Sequence, residues 1–213
     1  IINATKKLVS DQNIQNGYIR PFVWRGSEMM GVSAQNTKIN VAIAIWDWPT
    51  YFDPDLKLKG IRLNISKWQR PPQNSSPWQS KAAGLYMICT LSKHQAEKDG
   101  YTDSLMLDHE GNIAEATSAN IFFKDENNVL HTPIPDSFLD GITRKTVIEL
   151  AKSKNIKIHE RKISPTELNN FKGCFITGTA AEITPVGKIL DYNFEVCDLI
   201  KNLSISYEKL VGK

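Results

Sequence analysis

Short strand-like segments follow one another between residues 104 and 131, and this succession constrains the fold more than any other part of the sequence. Polar turns rich in glycine, asparagine and aspartate separate the segments, a spacing that is typical of antiparallel hairpins. The predicted strands are Ser104–Asp108, Ile113–Ala114, Ala119–Lys124 and Val129–His131. Helical patterns begin later, at Gly141 and Val196. Since strands and helices are mixed along the chain, we predict a mixed fold of the α/β or α+β class.

An aromatic and proline-rich stretch at residues 46–55 divides the chain. Such a composition does not favour regular structure, so we predict an interdomain linker over residues 46–59. The linker separates a small-domain segment, residues 1–45, from a large domain, residues 60–213. We expect the apolar run Val41–Trp46 to be a buried strand, since it is far too short to span a bilayer. The chain begins at Ile1 in what reads as a helix already under way, so we expect that its true start lies upstream.

Composition argues against several classes of protein. The formal net charge is only +3 and basic residues are scattered among acidic ones, which is unlike a nucleic-acid-binding surface. No apolar run is long enough to predict a membrane segment. The three cysteines lack the spacing of a metal site, and their odd number favours reduced thiols in a cytoplasm over a disulfide framework. We therefore expect a protein that acts on small molecules.

Lys81 is the candidate nucleophile. Ser-Pro-Trp precedes it closely and small or apolar residues follow it, whereas most other lysines lie among charges. The pattern predicts a helix that opens near Lys81 and runs to about Lys98, so that Lys81 lies in its first turn. The positive end of the helix dipole and desolvation would both favour the neutral amine, which is the form that attacks carbonyl groups. The alternative is a lysine whose stem covers apolar surface.

A candidate acid and two candidate anion-binding turns accompany this lysine. Glu115 ends a predicted strand among small residues, and a carboxylate buried there needs a partner. The alternative is an exposed glutamate in a turn. Gly141 opens a helix and leaves backbone N–H groups free, and the turn Gly178–Ala180 offers a similar cradle. An amine, an acid and phosphate-binding turns are the groups that proteins supply to pyridoxal phosphate.

The motifs around these residues extend the pattern over most of the chain, from about Gly17 to Lys188. The chain resembles the class IV, or fold type IV, pyridoxal-phosphate aminotransferases, and most specifically the branched-chain amino acid aminotransferases. The resemblance implies a two-domain architecture like that of D-amino acid aminotransferase, with residues 60–213 forming the domain that binds pyridoxal 5'-phosphate. The segments that carry it are Tyr18–Pro21, Ser66–Arg70, Ser80–Gly84 with Tyr86, Glu115–Phe122, Leu130–Thr132, Leu139–Arg144 and Gly178–Val186.

The resemblance also implies a role for each site residue. Lys81 would be the Schiff-base lysine and the proton shuttle, Tyr86 would contact the phenolic oxygen of the cofactor, and Glu115 would pair with its pyridine nitrogen. The residues implied in phosphate binding are Ile142, Thr143 and Thr179. The residues implied in substrate binding are Tyr18, Arg20, Trp48, Tyr51, Thr179 and Ala180.

The implied activity is transfer of an amino group between leucine, isoleucine or valine and 2-oxoglutarate, in a homodimer or a larger homo-oligomer. Arg20 would bind the distal carboxylate of glutamate. The alternatives are a D-amino acid aminotransferase, an aminodeoxychorismate lyase, or an inactive truncated member. The family's N-terminal segment supplies a phosphate-binding arginine that is not in this sequence, and neither Arg70 nor Arg144 obviously replaces it.

Overall fold

The computed structural model describes residues 1–48 and 58–212. Contacts divide the chain into two compact units, Ile1–Tyr51 and Phe52–Lys213. The first unit contains helix α1 (Ile2–Gln12) and the antiparallel strands β1 (Tyr18–Arg25) and β2 (Ile39–Trp46). None of the described helices is both long enough and apolar enough to cross a membrane.

The strands of the first unit are not buried. Every residue of β2 is exposed or half-buried, and the side chain of Val41 is 51% exposed. The prediction that Val41–Trp46 is a buried strand is therefore wrong within this unit. The physical reason is the number of layers, since among the described residues of the unit only α1 accompanies a sheet of two strands. A two-stranded sheet presents two apolar faces and cannot cover both by itself.

The second unit is built on a nine-stranded mixed sheet in the order β5-β4-β3-β10-β9-β6-β7-β8, with β11 paired to β10. Its strands are β3 (Ile61–Ile65), β4 (Asp103–Leu107), β5 (Ile113–Ala116), β6 (Asn120–Asp125), β7 (Leu130–Thr132), β8 (Ile158–Glu160), β9 (Phe171–Gly178), β10 (Glu182–Ile189) and β11 (Tyr192–Asn193). The α-helices that lie wholly within the described residues of this unit are α2 (Met87–Lys98), α3 (Ile142–Ser153) and α4 (Asp198–Leu210). Short 3-10 helices cover Gln73–Ser75, Ala83–Tyr86 and Pro165–Asn170. The strands predicted between residues 104 and 131 are confirmed to within two residues at each end.

Alternating side chains give the sheet two apolar faces, and both faces are buried. Phe122 on β6 stacks on Phe175 of β9 with ring centroids 4.9 Å apart, and both belong to the cluster formed with α3 and α4. Their neighbours Ile121 and Phe123 point to the opposite cluster, which also contains Ile176. This period of two is the one expected of central strands. Helices and a mixed sheet in one unit confirm the predicted fold class.

The topology brings several element ends to one edge of the sheet. Strands β6 and β9 are antiparallel, so Asn120 at the start of β6 pairs with Thr177 near the end of β9. The turn from β5 to β6 closes there through a hydrogen bond from the N–H of Ala116 to the carbonyl of Ala119. Polar side chains from β5, β6 and the β9–β10 turn therefore meet in one place.

A close backbone contact beside β3 gives a test of the fold. Gly60 has a φ of +80°, and a Cβ there would lie 2.3 Å from the backbone nitrogen of Gly187. We expect Gly60→Ala to lower the free energy of unfolding by about 3 kcal/mol, from the left-handed backbone and the clash together. The matched control is Gly100→Ala, because Gly100 has a φ of +79° and nothing within 4 Å of an added Cβ. Its expected loss is about 1 kcal/mol. Equal losses in urea unfolding would contradict the packing of Gly60 against Gly187.

Candidate active site

A cavity of about 340 Å³ lies in the second unit where these element ends meet. Its walls come from the segment before α2, from β5 and β6, from the end of β9 and from the start of α3. The side chains that matter for chemistry are Lys81, Tyr86, Glu115, Thr143, Thr177 and Thr179. The predicted amine, acid and turns are therefore in one place, although they lie far apart in the sequence.

Lys81 reaches the cavity from an extended segment. Its Nζ donates a hydrogen bond of 3.0 Å to Oη of Tyr86 and lies 5.2 Å from the centre of that ring. Ala82 is extended, a 3-10 helix covers Ala83–Tyr86, and α2 begins only at Met87. The prediction that Lys81 lies in the first turn of the helix is therefore wrong. Gly84 lies within this segment, where it disfavours α-helix, and the tighter 3-10 turn closes from the N–H of Leu85 to the carbonyl of Ala82 at 3.0 Å.

Lys81 is also exposed, so the expected desolvation of its amine is not observed. What sets Lys81 apart from other surface lysines is its surroundings, since it shares the cavity with Tyr86 and Glu115. A lysine whose stem merely covers apolar surface would not place its nitrogen beside a phenol in a cavity that a buried acid lines. The geometry therefore favours the interpretation as a nucleophile through position rather than through burial.

Glu115 is buried within β5 and has two polar partners. Its side chain is 9% exposed, so the alternative of an exposed turn glutamate is wrong. Oε1 lies 3.4 Å from Nε of Arg70, and Oε2 accepts a hydrogen bond of 3.4 Å from Nδ2 of Asn120. Burial raises the pKa of Glu115 to about 8, although the charges of Arg70 and Lys81 lower it, and Asp103 adds to the rise. Desolvation outweighs the ion pair, as is common for buried acids.

Asn120 connects this acid to the start of α3. Besides contacting Glu115, Nδ2 donates to the carbonyl of Leu139 at 2.9 Å, and Oδ1 accepts from the N–H of Gly141 at 3.1 Å. A single buried amide thus fixes the carboxylate relative to the turn that begins the helix. The sequence reasoning did not single out Asn120. Its position five residues after Glu115, within the segment Glu115–Phe122 that carries the family resemblance, is the signal that could have identified it.

The start of α3 offers backbone donors to the cavity. Gly141 is its extended N-cap residue and provides no side-chain cap for the N–H groups of the first turn. The N–H groups of Ile142 and Thr143 precede the first intrahelical hydrogen bond, which runs from Lys145 to Gly141. Thr143 is buried, whereas the side chain of Ile142 is exposed and can contribute only its backbone to a ligand in the cavity. Such a helix start is suited to an anion.

The β9–β10 turn adds hydroxyl groups. Thr179 is exposed in this turn and lines the cavity, and the half-buried Ala180 follows it. Thr177, at the end of β9, is 1% exposed, and its Oγ1 has no hydrogen-bond partner within the described part of the chain. A buried hydroxyl without a partner calls for a bound group or water. Thr177 was missed by sequence reasoning because nothing in the pattern of a buried strand marks one threonine.

Neither Arg70 nor Arg144, the two arginines considered as replacements for a phosphate-binding arginine, lines the cavity. Arg144 is 1% exposed and binds Asp140 at 2.9 Å, Glu160 at 2.7 Å and the carbonyl of Pro133 at 2.9 Å. Arg70 is engaged with Glu115. The expectation that they do not replace a phosphate-binding arginine agrees with these contacts.

The residues implied in substrate binding in the first unit form an aromatic cluster. The ring of Tyr18 lies 5.3 Å from that of Trp46 and 4.7 Å from that of Trp48. The guanidinium of Arg20 lies over the rings of Tyr18 and Trp46, at 5.2 and 5.7 Å. Tyr51, the remaining candidate, lies outside the described residues. The cluster combines aromatic surface with a positive charge.

Comparison with known sequences agrees with the motifs. The sequence profile of the family described as Amino-transferase class IV matches residues 1–189. A probable branched-chain-amino-acid aminotransferase of Rickettsia conorii is 41% identical over 190 residues, which are 89% of this chain and 63% of that protein. The branched-chain-amino-acid aminotransferase of Escherichia coli K12 is 33% identical over 190 residues, 89% of this chain and 62% of that protein. The chain thus spans less than two thirds of the length of these relatives.

Solved structures show the same similarity. The branched-chain aminotransferase from Thermoproteus uzoniensis with norvaline has a TM-score of 0.92 at 30% identity, over 98% of this chain and 69% of that one. A second branched-chain amino acid aminotransferase, from T.th. and solved with pyridoxamine 5'-phosphate, has a TM-score of 0.92 at 32% identity, with the same coverage. These neighbours confirm the predicted fold type IV architecture. With a family profile that matches most of its length, the chain belongs to the class IV aminotransferases.

Proposed function

We propose that the protein is a pyridoxal-phosphate-dependent transaminase that moves the amino group between branched-chain L-amino acids and 2-oxoglutarate or glutamate. The observation that carries this proposal is the shared cavity in which Lys81, Tyr86 and Glu115 meet the start of α3. The names of the relatives support the choice of substrates, since they are branched-chain-amino-acid aminotransferases.

We propose pyridoxal 5'-phosphate as the cofactor, held by Lys81, Tyr86, Glu115, Ile142, Thr143 and Thr179. The donor set of the cavity fits this group, with an amine, a phenol, a buried acid and a helix start for a phosphate. The unpartnered hydroxyl of Thr177 adds a polar atom that a bound group could satisfy. The structural neighbour solved with pyridoxamine 5'-phosphate supports the same choice. When bound, the cofactor supplies an electron-withdrawing ring that stabilises negative charge on the substrate.

Lys81 is proposed to do two things, anchoring the cofactor through its amine and moving the substrate proton. Its Nζ lies 3.0 Å from the phenol oxygen of Tyr86, and that hydrogen bond fixes the direction of the amine. Nζ would remove the proton from the substrate Cα, which is general base catalysis by a positioned lysine. Exposure of Lys81 to the cavity leaves its nitrogen accessible for this exchange.

Glu115 is proposed to hold a proton at the pyridine nitrogen. In the cofactor-free chain its raised pKa of about 8 keeps most of the carboxyl protonated at neutral pH. The site therefore stores a proton where a basic ring nitrogen would accept it. The carboxylate that remains would be stabilised by Arg70 and by the amide of Asn120.

The substrate-binding residues are proposed from the resemblance. Trp48 and Tyr51 would contact an aliphatic side chain, and Arg20 would bind a distal carboxylate. The turn Thr179–Ala180 and Tyr18 would meet the carboxylate of the amino acid. We propose that residues 1–45 belong to the small domain, residues 46–59 to the linker and residues 60–213 to the cofactor-binding domain.

We further propose a cytoplasmic homodimer or larger homo-oligomer. The three free thiols, of which those of Cys89 and Cys174 are buried, support a reducing compartment. The family resemblance supports the oligomer. Sedimentation of the full-length protein at assay concentration checks this, and a fully active monomer would contradict it.

The proposed activity is tested with the full-length protein, pyridoxal phosphate, 2-oxoglutarate and either L-leucine or D-leucine. The expected result is glutamate formed with L-leucine and little or none with D-leucine. Turnover with D-leucine alone would replace the proposal by D-amino acid transamination. No turnover with either donor would contradict a transaminase altogether.

A further inference from the structure

We propose that Arg70 is a positioning residue that fixes the Glu115 carboxyl in the cavity and favours its ionised form against the effect of burial. The guanidinium does not line the cavity itself and acts through the carboxylate behind which it is buried. The catalytic role of this interaction rests on the proposed function. The interaction between Arg70 and Glu115 itself involves only residues of this chain and is testable without the cofactor.

The contacts of Arg70 anchor it on several sides. Arg70 is only 4% exposed. Its Nε donates to the carbonyl of Ser137 at 3.3 Å, and its Nη1 donates to the carbonyl of Leu85 at 3.1 Å. Nη1 also lies 3.3 Å from Sγ of Cys89. The backbone N–H of Arg70 donates to the carbonyl of Leu107 on the neighbouring strand at 2.8 Å. A guanidinium held at so many points cannot move away from its carboxylate, so its charge is preorganised.

One of these anchors belongs to the lysine segment. Leu85 lies in the 3-10 helix between Lys81 and α2, and its carbonyl is held by the same guanidinium that pairs with Glu115. Arg70 therefore spans the two parts of the site that supply the acid and the amine. Nε of Arg70 lies 3.4 Å from Oε1 of Glu115, the carboxylate that β5 contributes to the cavity wall.

Of the charges around Glu115, that of Arg70 does most to offset the rise in the pKa of Glu115 that burial causes. The titratable and charged groups facing Glu115 are Arg70, Lys81, Asp103 and Cys89. Asp103 is itself buried and, when ionised, disfavours a second negative charge. Lys81 lowers the pKa of Glu115 less than Arg70 does, and its amine is the group proposed to react. Arg70 is thus the permanent cation of the set, since a guanidinium does not lose its proton in proteins.

The first test follows the Glu115 carboxyl in cofactor-free protein by infrared difference spectroscopy across pH, with Glu115→Gln identifying the band. Arg70→Met is expected to raise the pH at which Glu115 ionises by about one to three pH units. The matched control is Arg62→Met, which removes an exposed arginine whose guanidinium lies over the ring of Tyr101. Its Glu115 titration is expected to follow the wild type. An unchanged titration in Arg70→Met would overturn the proposal.

The second test measures the Kd for pyridoxal phosphate in a double-mutant cycle. Arg70→Met is expected to weaken binding about tenfold in the wild-type background, and less than about threefold when Glu115→Gln is already present. Equal losses in both backgrounds would show a merely structural role and overturn the proposal. If wild type binds no pyridoxal phosphate, the proposed function fails, while the carboxyl titration still decides the role of Arg70.

Folding of the variants is checked by circular dichroism, because removing one partner of a buried ion pair is strongly destabilising. If Arg70→Met does not fold, Arg70→Gln serves as the second neutral variant, since it retains a donor. Arg70→Lys keeps the charge and is expected to leave the Glu115 titration within about half a pH unit of wild type. A shift as large as that of the neutral variants would overturn the assignment of the effect to charge.

Discussion

Replacing Lys81 with alanine is expected to lower kcat for transamination by about 10⁴-fold or more, because the variant loses both the cofactor-anchoring amine and the proposed base. Binding of pyridoxal phosphate should weaken but persist, since Glu115, Thr143 and Thr179 remain in the cavity. Steady-state assays with L-leucine and cofactor titrations measure the two effects separately.

The matched control is Lys98→Ala, which removes an exposed lysine at the end of α2. Its kcat is expected to equal that of the wild type. A Lys81→Ala protein that retains more than about a tenth of wild-type kcat would contradict the assignment of Lys81 as the base, given that such groups contribute at least about 100-fold.

Replacing Glu115 with glutamine is expected to lower kcat/KM by about 100-fold to 1,000-fold, because a neutral amide cannot hold a proton on the ring nitrogen. The same change alters the pH dependence of stability. The pKa of Glu115 rises from 4.5 to about 8 on folding, so the folded state binds a proton that the unfolded state releases between these values. Its contribution to stability is therefore fully present below pH 4.5 and is lost as pH rises to about 8.

Glu115→Gln removes this linkage. Relative to the variant, cofactor-free wild type is expected to lose on the order of 3 to 5 kcal/mol of unfolding free energy between pH 4.5 and pH 8.5. Urea unfolding at the two pH values measures the difference, with Glu126→Gln, an exposed turn residue, as the control. Parallel pH profiles for wild type and Glu115→Gln would contradict a carboxyl that is buried and protonated.

Turn residues and hydrophobic periodicity correctly predicted those helices and strands whose bounds depend mainly on neighbouring residues in the sequence. The starts of the helices near Gly141 and Val196, and the strands between residues 104 and 131, were predicted to within two residues, because turn residues and periodicity fix them. The start of the helix after Lys81 was predicted wrongly, because the Gly84 segment adopts a 3-10 turn whose carbonyl at Leu85 is taken by Arg70. That competing contact comes from a residue 15 positions earlier in the chain, outside the local helical pattern.

The burial of individual side chains was harder to predict than the elements. Whether Glu115 is exposed or buried depends on the strands beside β5, and its partners Arg70 and Asn120 reach it from other segments. The apolar pattern of Val41–Trp46 indicated burial, but burial depends on how many layers cover a sheet. The family motif located the amine and the acid, while the ion pair behind them became visible only in three dimensions.

The central claim is that the Lys81 amine bonds to the cofactor. It is tested most directly by loading the full-length protein with pyridoxal phosphate, reducing it with borohydride and locating the stable adduct by peptide mass spectrometry. The expected result is one phosphopyridoxyl group per chain, carried on the peptide that contains Lys81. A label on another lysine, or no label on a folded protein, would contradict the claim.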